Sequence, residues 1–147
     1  MFTFSRSHII EWGDCDPAGL VFYPRYFVMF DSSTAYMLEA ASGLSRSQLM
    51  ARENILGWPM VDSRAQFLAA ARFDDRVQIE TKVVHIGRTS FGVEHTLKRG
   101  EVTCVQAREV RVWAAGGKEL SSPIVPVALP TDLRACLSAT AGGKAND

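Results

Sequence analysis

The spacing of hydrophobic and polar residues changes period along the chain, and each change marks an element. Residues 2–12 alternate weakly and end in HIIEW, which predicts a strand. A turn follows at DCDPAG, residues 14–19. Pro24 suits the first turn of a helix, where its missing N–H would be unpaired anyway, and Gly43 suits the stop. Between them Arg25, Ser32, Tyr36 and Glu39 form one narrow polar stripe at 3.6 residues per turn, and nearly everything else is apolar. This long helix is therefore expected to be largely buried and wrapped by a sheet. A short second helix is predicted over 45–53, with Ser45 as its cap.

After Gly57 the period becomes two. Val61, Ser63, Ala65 and Phe67 alternate with Asp62, Arg64 and Gln66, and Val77, Ile79, Thr81 and Val83 alternate with Gln78, Glu80 and Lys82. Residues 89–99 and 102–114 are also strand-like. In the last of these the apolar phase slips between Ala107 and Val110, which suggests a bulge near Arg108 and Glu109. Thr131 is a candidate cap for a short C-terminal helix, and the small, polar stretch 139–147 predicts a flexible tail. The order is strand, long helix, short helix, four strands. That is an α+β class: an antiparallel five-stranded sheet with one dominant helix, in a single domain over 1–138. One helix cannot cover both faces of such a sheet, so a face or edge is left for a second subunit.

Composition narrows the function classes. The 147 residues are 47% hydrophobic and 22% charged, as in an ordinary globular domain. Sixteen basic and sixteen acidic residues balance to a net charge of zero, which gives no whole-molecule attraction for nucleic acid or anionic lipid. No apolar run approaches the roughly 20 residues of a membrane helix, and no signal-like segment opens the chain. Cys15, Cys104 and Cys136 show no CxxC and no zinc spacing, which predicts a reduced, cytoplasmic protein with no metal site.

Chemistry concentrates at residues 14–19, between a strand and the start of the long helix. As a turn, Asp16-Pro17 caps the helix and bends the chain. As a site, a carboxylate there lies beside unpaired helix N–H groups and the positive end of the helix dipole. Such groups can hold a carbonyl oxygen as it becomes an oxyanion, while the carboxylate attacks the carbonyl or takes a proton from water. Cys15 is a poor nucleophile between two aspartates, and Asp14 with Asp16 lacks a third metal ligand. Asp31 is an oddity in the helix, roughly 120° from the polar stripe by helical arithmetic. It is either satisfied by an arginine or an interface, or it is a ligand contact. His8, His85 and His95 read as surface or satisfied residues. Arg88-Thr89-Ser90 reads as a hairpin or as a phosphate contact.

The stretch EWGDCDPAGLVFYPRY, residues 11–26, with Asp31 after it, resembles the hot-dog-fold acyl-CoA thioesterases, and within them the bacterial 4-hydroxybenzoyl-CoA thioesterases. Gly57, Pro59, Val61, Asp74-Asp75, Ile79-Glu80-Thr81, Arg88 and Ser90-Phe91 extend the likeness to about residue 135. The resemblance implies that the sheet wraps the helix and that the active site lies at the interface of a homodimer or homotetramer. It implies Asp16 as nucleophile or general base on an acyl-CoA thioester, and the Tyr23 N–H as oxyanion holder. Asp31 would lie near an aromatic acyl group, Trp58, Pro59 and Met60 would line the pocket, and Arg88, Thr89 and Ser90 would meet the CoA nucleotide. No cofactor is implied beyond the CoA of the substrate. Trp58 is bulkier than expected there and predicts a narrowed acyl pocket, and Thr89 replaces a second basic residue. The alternatives are a short aliphatic acyl-CoA thioesterase, whose members carry histidine where Pro24 stands, and a non-catalytic acyl-CoA binding module, which needs no Asp16.

Overall fold

The period-two segments all become strands of one sheet, and the 3.6-period segment lies across it. A computed structural model describes residues 1–117, 119, 121–140 and 142–144. Strand β1 (Thr3–Ile9) leads through a 3₁₀ turn (Trp12–Asp14) to helix α1 (Tyr23–Ser42) and helix α2 (Arg46–Glu53). Strands β2 (Met60–Phe67), β3 (Arg76–Ile86), β4 (Ser90–Arg99) and β5 (Val102–Val112) follow. A two-stranded ribbon of β6 (Ala114–Gly116) and β7 (Ile124–Pro126), helix α3 (Thr131–Ser138) and strand β8 (Gly142–Lys144) complete the order.

The main sheet runs β2-β5-β4-β3-β1-β8, antiparallel except where β8 lies parallel to β1. It has six strands rather than the expected five. The sixth comes from the stretch expected to be a tail: Gly142 and Gly143 lie beside Thr3 and Phe4. Small residues are what that course needs, because a Cβ on Gly143 would stand 3.1 Å from Ala40.

Helix ends obey the chemistry of their sequences. Gly43 closes α1 in the left-handed region at φ 71°, where other residues are strained. Ser45 caps α2, accepting from the Gln48 N–H while the Gln48 side chain accepts from the Ser45 N–H. Thr131 is the first residue of α3 rather than its cap, since Pro130 occupies the cap position. The α1 stripe of Arg25, Ser32, Tyr36 and Glu39 also includes Val28, which is 51% exposed. The opposite face is enclosed, with Phe30, Met37 and Leu38 at 0% exposure. Each such side chain contributes about 1.5–3 kcal/mol relative to leaving it in water.

The core falls into two apolar clusters. One joins Phe4, Leu38, Leu49, Val93 and Trp113; the other joins Phe30, Ile79, Leu97 and Val105. A polar seam separates them. It is built from Ser33, Thr34, Thr81, His95, Glu109 and Arg111, every one 3% exposed or less. In β5 the inward residues run Val105, Ala107, Glu109, Arg111 without a break, and β4–β5 pairing is regular from Ser90↔Val112 to Leu97↔Val105. The apolar slip that suggested a bulge near Arg108 and Glu109 is therefore an inward-facing ion pair. The register shifts lie elsewhere, between Met60 and Asp62 in the β2–β5 pair, between Val83 and His85 in the β3–β4 pair, and between Leu97 and Lys98 in the β4–β5 pair.

The outer sheet face carries charge at its middle, with Arg108 paired to Glu94 and Arg64 to Asp62. Its hollow of about 540 Å³ across Arg64, Glu94 and Arg108 is thus lined by charges that already neutralise one another. Exposed apolar surface gathers instead along β2 and the start of α1: Met60, Val61, Phe67, Leu68, Phe22 and Tyr23 are each 45–62% exposed. No helix among the described residues is long and apolar enough to cross a membrane.

Candidate active site

The DCDPAG segment folds as a three-residue hairpin loop. The Asp16 carbonyl accepts from the Gly19 N–H, the Asp16 N–H donates to the Leu20 carbonyl, and Cys15 bridges to Val21. Gly19 takes φ +74°, the position such loops reserve for glycine. The Asp16 side chain completes an Asx turn: Oδ1 accepts from the Ala18 N–H at 2.9 Å and the Leu20 N–H at 3.3 Å. Oδ2 has no hydrogen bond among the described residues. The turn role and the chemical role are thus compatible, with one oxygen fixing the direction of the other.

Asp14 ties this hairpin to α1. It is 6% exposed, its Oδ2 accepts from the Glu11 N–H, its Oδ1 accepts from Arg25 Nε at 3.1 Å, and its carbonyl accepts from the Phe22 N–H. His8 Nε2 stands 3.6 Å from Asp14 Oδ2. At the helix start the Phe22 N–H is thereby used, Pro24 has none, and the Arg25 N–H donates to the Phe22 carbonyl. The Tyr23 N–H has no partner among the described residues, so it is the uncommitted donor of this turn. Burial first, then Asp14 and Asp16, push the Cys15 thiol up, which removes it as a nucleophile near neutral pH.

Beside this turn lies a cavity of about 320 Å³, between Leu20, Tyr23 and Tyr26 on one side and residues 67–71 on the other. Phe67 packs against Tyr23, Tyr26 and Phe27, with ring centroids 5.8–6.5 Å apart. The wall is aromatic and open.

Asp31 lies farther along α1. Its side chain is 47% exposed and its Oδ1 accepts from Arg111 Nη1 at 2.6 Å. Met60 is the cross-strand neighbour of Arg111, so Asp31 and the 58–60 segment are brought to one place. Met60 and Pro59 are exposed, but Trp58 is only 4% exposed. Its ring stacks on Trp113 at 5.6 Å and carries the Arg46 guanidinium at 5.3 Å. In the single chain its bulk fills core rather than open pocket. Arg88 and Thr89 lie in the β3–β4 turn and Ser90 opens β4, at the end of β3 opposite Arg76. The Arg88 and Thr89 carbonyls accept from the Leu129 and Trp113 N–H groups, which leaves the exposed Arg88 side chain at the surface.

The seam under α1 joins His95, a satisfied histidine as one of its two expected readings has it, to groups that the sequence pattern does not single out. Ser33 Oγ lies 2.8 Å from Thr81 Oγ1, which lies 2.9 Å from His95 Nδ1. His95 Nε2 faces Glu109 Oε2 across 3.5 Å, and Phe30 stacks on the imidazole at 4.7 Å. Glu109 Oε2 accepts from both Nε and Nη2 of Arg111. Burial holds the His95 imidazole below its ordinary 6.5, with the Glu109 carboxylate opposing. Burial alone would raise the Glu109 carboxyl, but His95 and Arg111 outweigh it and hold it below 4.5. Both groups bind fewer protons folded than unfolded, so acid favours unfolding. Stability is expected to be full above pH 6.5, to fall below it as His95 is forced to take a proton, and to fall again below pH 4.5. Urea midpoints across this range test it: in His95→Asn the first fall should be missing, and a flat wild-type midpoint from pH 7 to 5 contradicts the assignment.

The sequence profile of the Thioesterase superfamily matches residues 18–106. The chain belongs to the thioesterase superfamily. This thioesterase is 36% identical to the 4-hydroxybenzoyl-CoA thioesterase of Pseudomonas sp. (strain CBS-3) over 124 residues, covering 80% of the chain and 87% of the relative. The solved structure of the enzyme from that strain superposes with a TM-score of 0.82 at 29% identity, covering 91% of this chain and 98% of that one. A gentisyl-coenzyme A thioesterase superposes with a TM-score of 0.77 at 27% identity, covering 92% and 99%. The chain is thus an acyl-CoA thioesterase of the hot-dog fold.

Proposed function

We propose that this thioesterase hydrolyses an aromatic acyl-CoA of the 4-hydroxybenzoyl type to the free acid and CoA. The observation that carries the reading is that Asp16 Oδ2 and the Tyr23 N–H, on the same hairpin-to-helix segment, both have no partner among the described residues. The thioester oxygen accepts from the Tyr23 N–H, at the positive end of α1, and the developing oxyanion is stabilised there. Asp16 acts on the carbonyl carbon in one of two ways. As nucleophile it forms an anhydride and expels CoA thiolate, which takes up a proton; water then splits the anhydride and regenerates the carboxylate. As general base it takes the proton of an attacking water, and the same products leave. Neither route uses a cofactor.

Asp31 and Met60 receive the acyl end, with Trp58 and Pro59 shaping the wall behind them. Arg88, Thr89 and Ser90 meet the CoA nucleotide at the surface, where a guanidinium suits phosphate. The apolar belt on β2 and at the start of α1 supports a homodimer, or a homotetramer built from it, with the site at the interface. The three free cysteines suit a reduced cytoplasm. Two relatives named above act on hydroxylated aryl thioesters by their names, which supports the acyl class.

CoA release from benzoyl-CoA, 4-hydroxybenzoyl-CoA and a series of short aliphatic acyl-CoAs tests this. We expect kcat/KM to favour the aryl thioesters by about tenfold or more. Preference for the aliphatic series sinks the acyl assignment but keeps the thioesterase. Tight CoA binding with no release from any thioester sinks the role given to Asp16.

A further inference from the structure

We propose that Arg111, clamped by Glu109, is a positioning residue that sets the direction of the Asp31 carboxylate and with it a preference for acyl groups carrying a hydrogen-bond donor far from the thioester. The inference rests on the aryl-thioesterase reading above and deepens it.

Each of the three guanidinium nitrogens is committed. Nε and Nη2 both donate to Glu109 Oε2, at 3.0 and 2.7 Å, and Nη1 donates to Asp31 Oδ1 at 2.6 Å. Arg111 is 3% exposed and Glu109 0%, so the clamp is shielded from water and keeps its strength. A planar fork held at two nitrogens cannot turn its third away. Asp31 Oδ1 is therefore fixed from below, while Oδ2 has no hydrogen bond among the described residues and the side chain is 47% exposed.

Charge balance explains why this looks like a receptor for a ligand. Glu109 and Arg111 already neutralise each other in the core. A second carboxylate adds nothing that pair needs, and a half-exposed ion pair contributes little to stability. Asp31 leaves a net negative charge, of fixed direction, on the surface of α1. That geometry suits a neutral donor such as a phenolic hydroxyl and repels an acyl group ending in a carboxylate. Position points the same way. Asp31 is eight residues from Tyr23, about 12 Å along the helix axis, so it acts on the acyl end and not on the carbonyl. Arg111 also stands opposite Met60, so one side chain joins the helix contribution and the β2 contribution to the acyl wall.

The readout is the ratio of kcat/KM for 4-hydroxybenzoyl-CoA over benzoyl-CoA. In the wild type it is expected near tenfold or above, the scale of a hydrogen bond to a charged, partly solvated acceptor. In Arg111→Met it should collapse toward one, chiefly through KM of the hydroxylated substrate. Arg111→Lys should fall between, because a single ammonium cannot span both carboxylates as the fork does. A purely structural role would depress both substrates alike and leave the ratio at its wild-type value, which overturns the proposal. Two further variants keep the test decisive if Arg111→Met fails to fold. Glu109→Gln with Arg111→Met removes both buried charges, and Asp31→Asn alters only a half-exposed group. Each must lose the same preference, and Asp31→Asn added to the pair must lose no more than either alone; additive losses overturn the coupling. A wild type that cleaves both aryl thioesters without preference overturns this inference and leaves hydrolysis standing. A wild type that cleaves neither overturns both.

Discussion

Asp16→Asn is expected to lower kcat by about 10²–10⁴-fold, the range for loss of a positioned acid–base group, while the protein stays folded. The substitution is close to isosteric. An asparagine carbonyl at the Oδ1 position still accepts from the Ala18 and Leu20 N–H groups, so the hairpin and the cavity beside it persist. What is lost is charge on the free oxygen: an amide neither attacks a thioester nor takes a proton from water. The loss should fall on kcat with little change in CoA affinity, since the nucleotide contacts proposed above lie at the β3–β4 turn. Steady-state CoA release, with a thermal melt of both proteins, checks it. Near-normal turnover in the variant would return Asp16 to the rank of a turn residue. Label found in Asp16 after a single turnover in ¹⁸O-water identifies an anhydride opened by water at the aspartyl carbon, whereas label confined to the product acid is common to general-base catalysis and to an anhydride opened at the acyl carbon.

Glu109→Ala is expected to cost about 3–5 kcal/mol, near the lower figure, because it leaves Arg111 charged in the core without its clamp. The lower figure applies because Asp31 remains as a second, half-exposed partner. For a domain of this size such a loss lowers Tm by about 10 °C or more. Replacing both members, as Glu109→Gln with Arg111→Met, should restore most of it, since a buried pair exchanged for neutral groups of similar shape is often close to neutral. Denaturant midpoints of Glu109→Gln, Arg111→Met and the double form the cycle. A double variant as unstable as the sum of its singles shows that packing, rather than the unpaired charge, set the cost.

Much of this molecule can be read from its residues because each strand buries one face only. Val77, Ile79, Thr81 and Val83 are inward in β3 as their spacing requires. The DCDPAG hairpin is legible because aspartate, proline and glycine each have a definable task there. The seam was not legible, and the reason is physical. Each strand contributes only one or two polar interruptions, Thr81, His95 and then Glu109 with Arg111, and one interruption in a strand looks like noise. Register brings them to one level, as Thr81↔His95 shows, and register is a property of the sheet rather than of any segment. In β5 an inward ion pair shifts the apolar phase just as an extra residue would. Period alone cannot distinguish them, although two opposite charges two residues apart were a signal that a single face held both. The orientation of Trp58 was hidden for a similar reason, since its stacking partner Trp113 is distant in sequence.

The two rims of the sheet differ in what they can recruit. Beside β1 the rim is β8, three residues long and opening with two glycines, a poor template for another chain. Beside β5 the rim is β2, eight residues with its outward backbone unpaired among the described strands. Strand addition is thus directed to one side of the molecule. In the homodimer proposed above, joined along β2 about a twofold axis, each long rim would cover the other and leave the short glycine rims at the outer ends. Association through this sheet would then terminate at a pair and not propagate as a filament, because a head-to-tail contact would lack a second receptive rim to continue it.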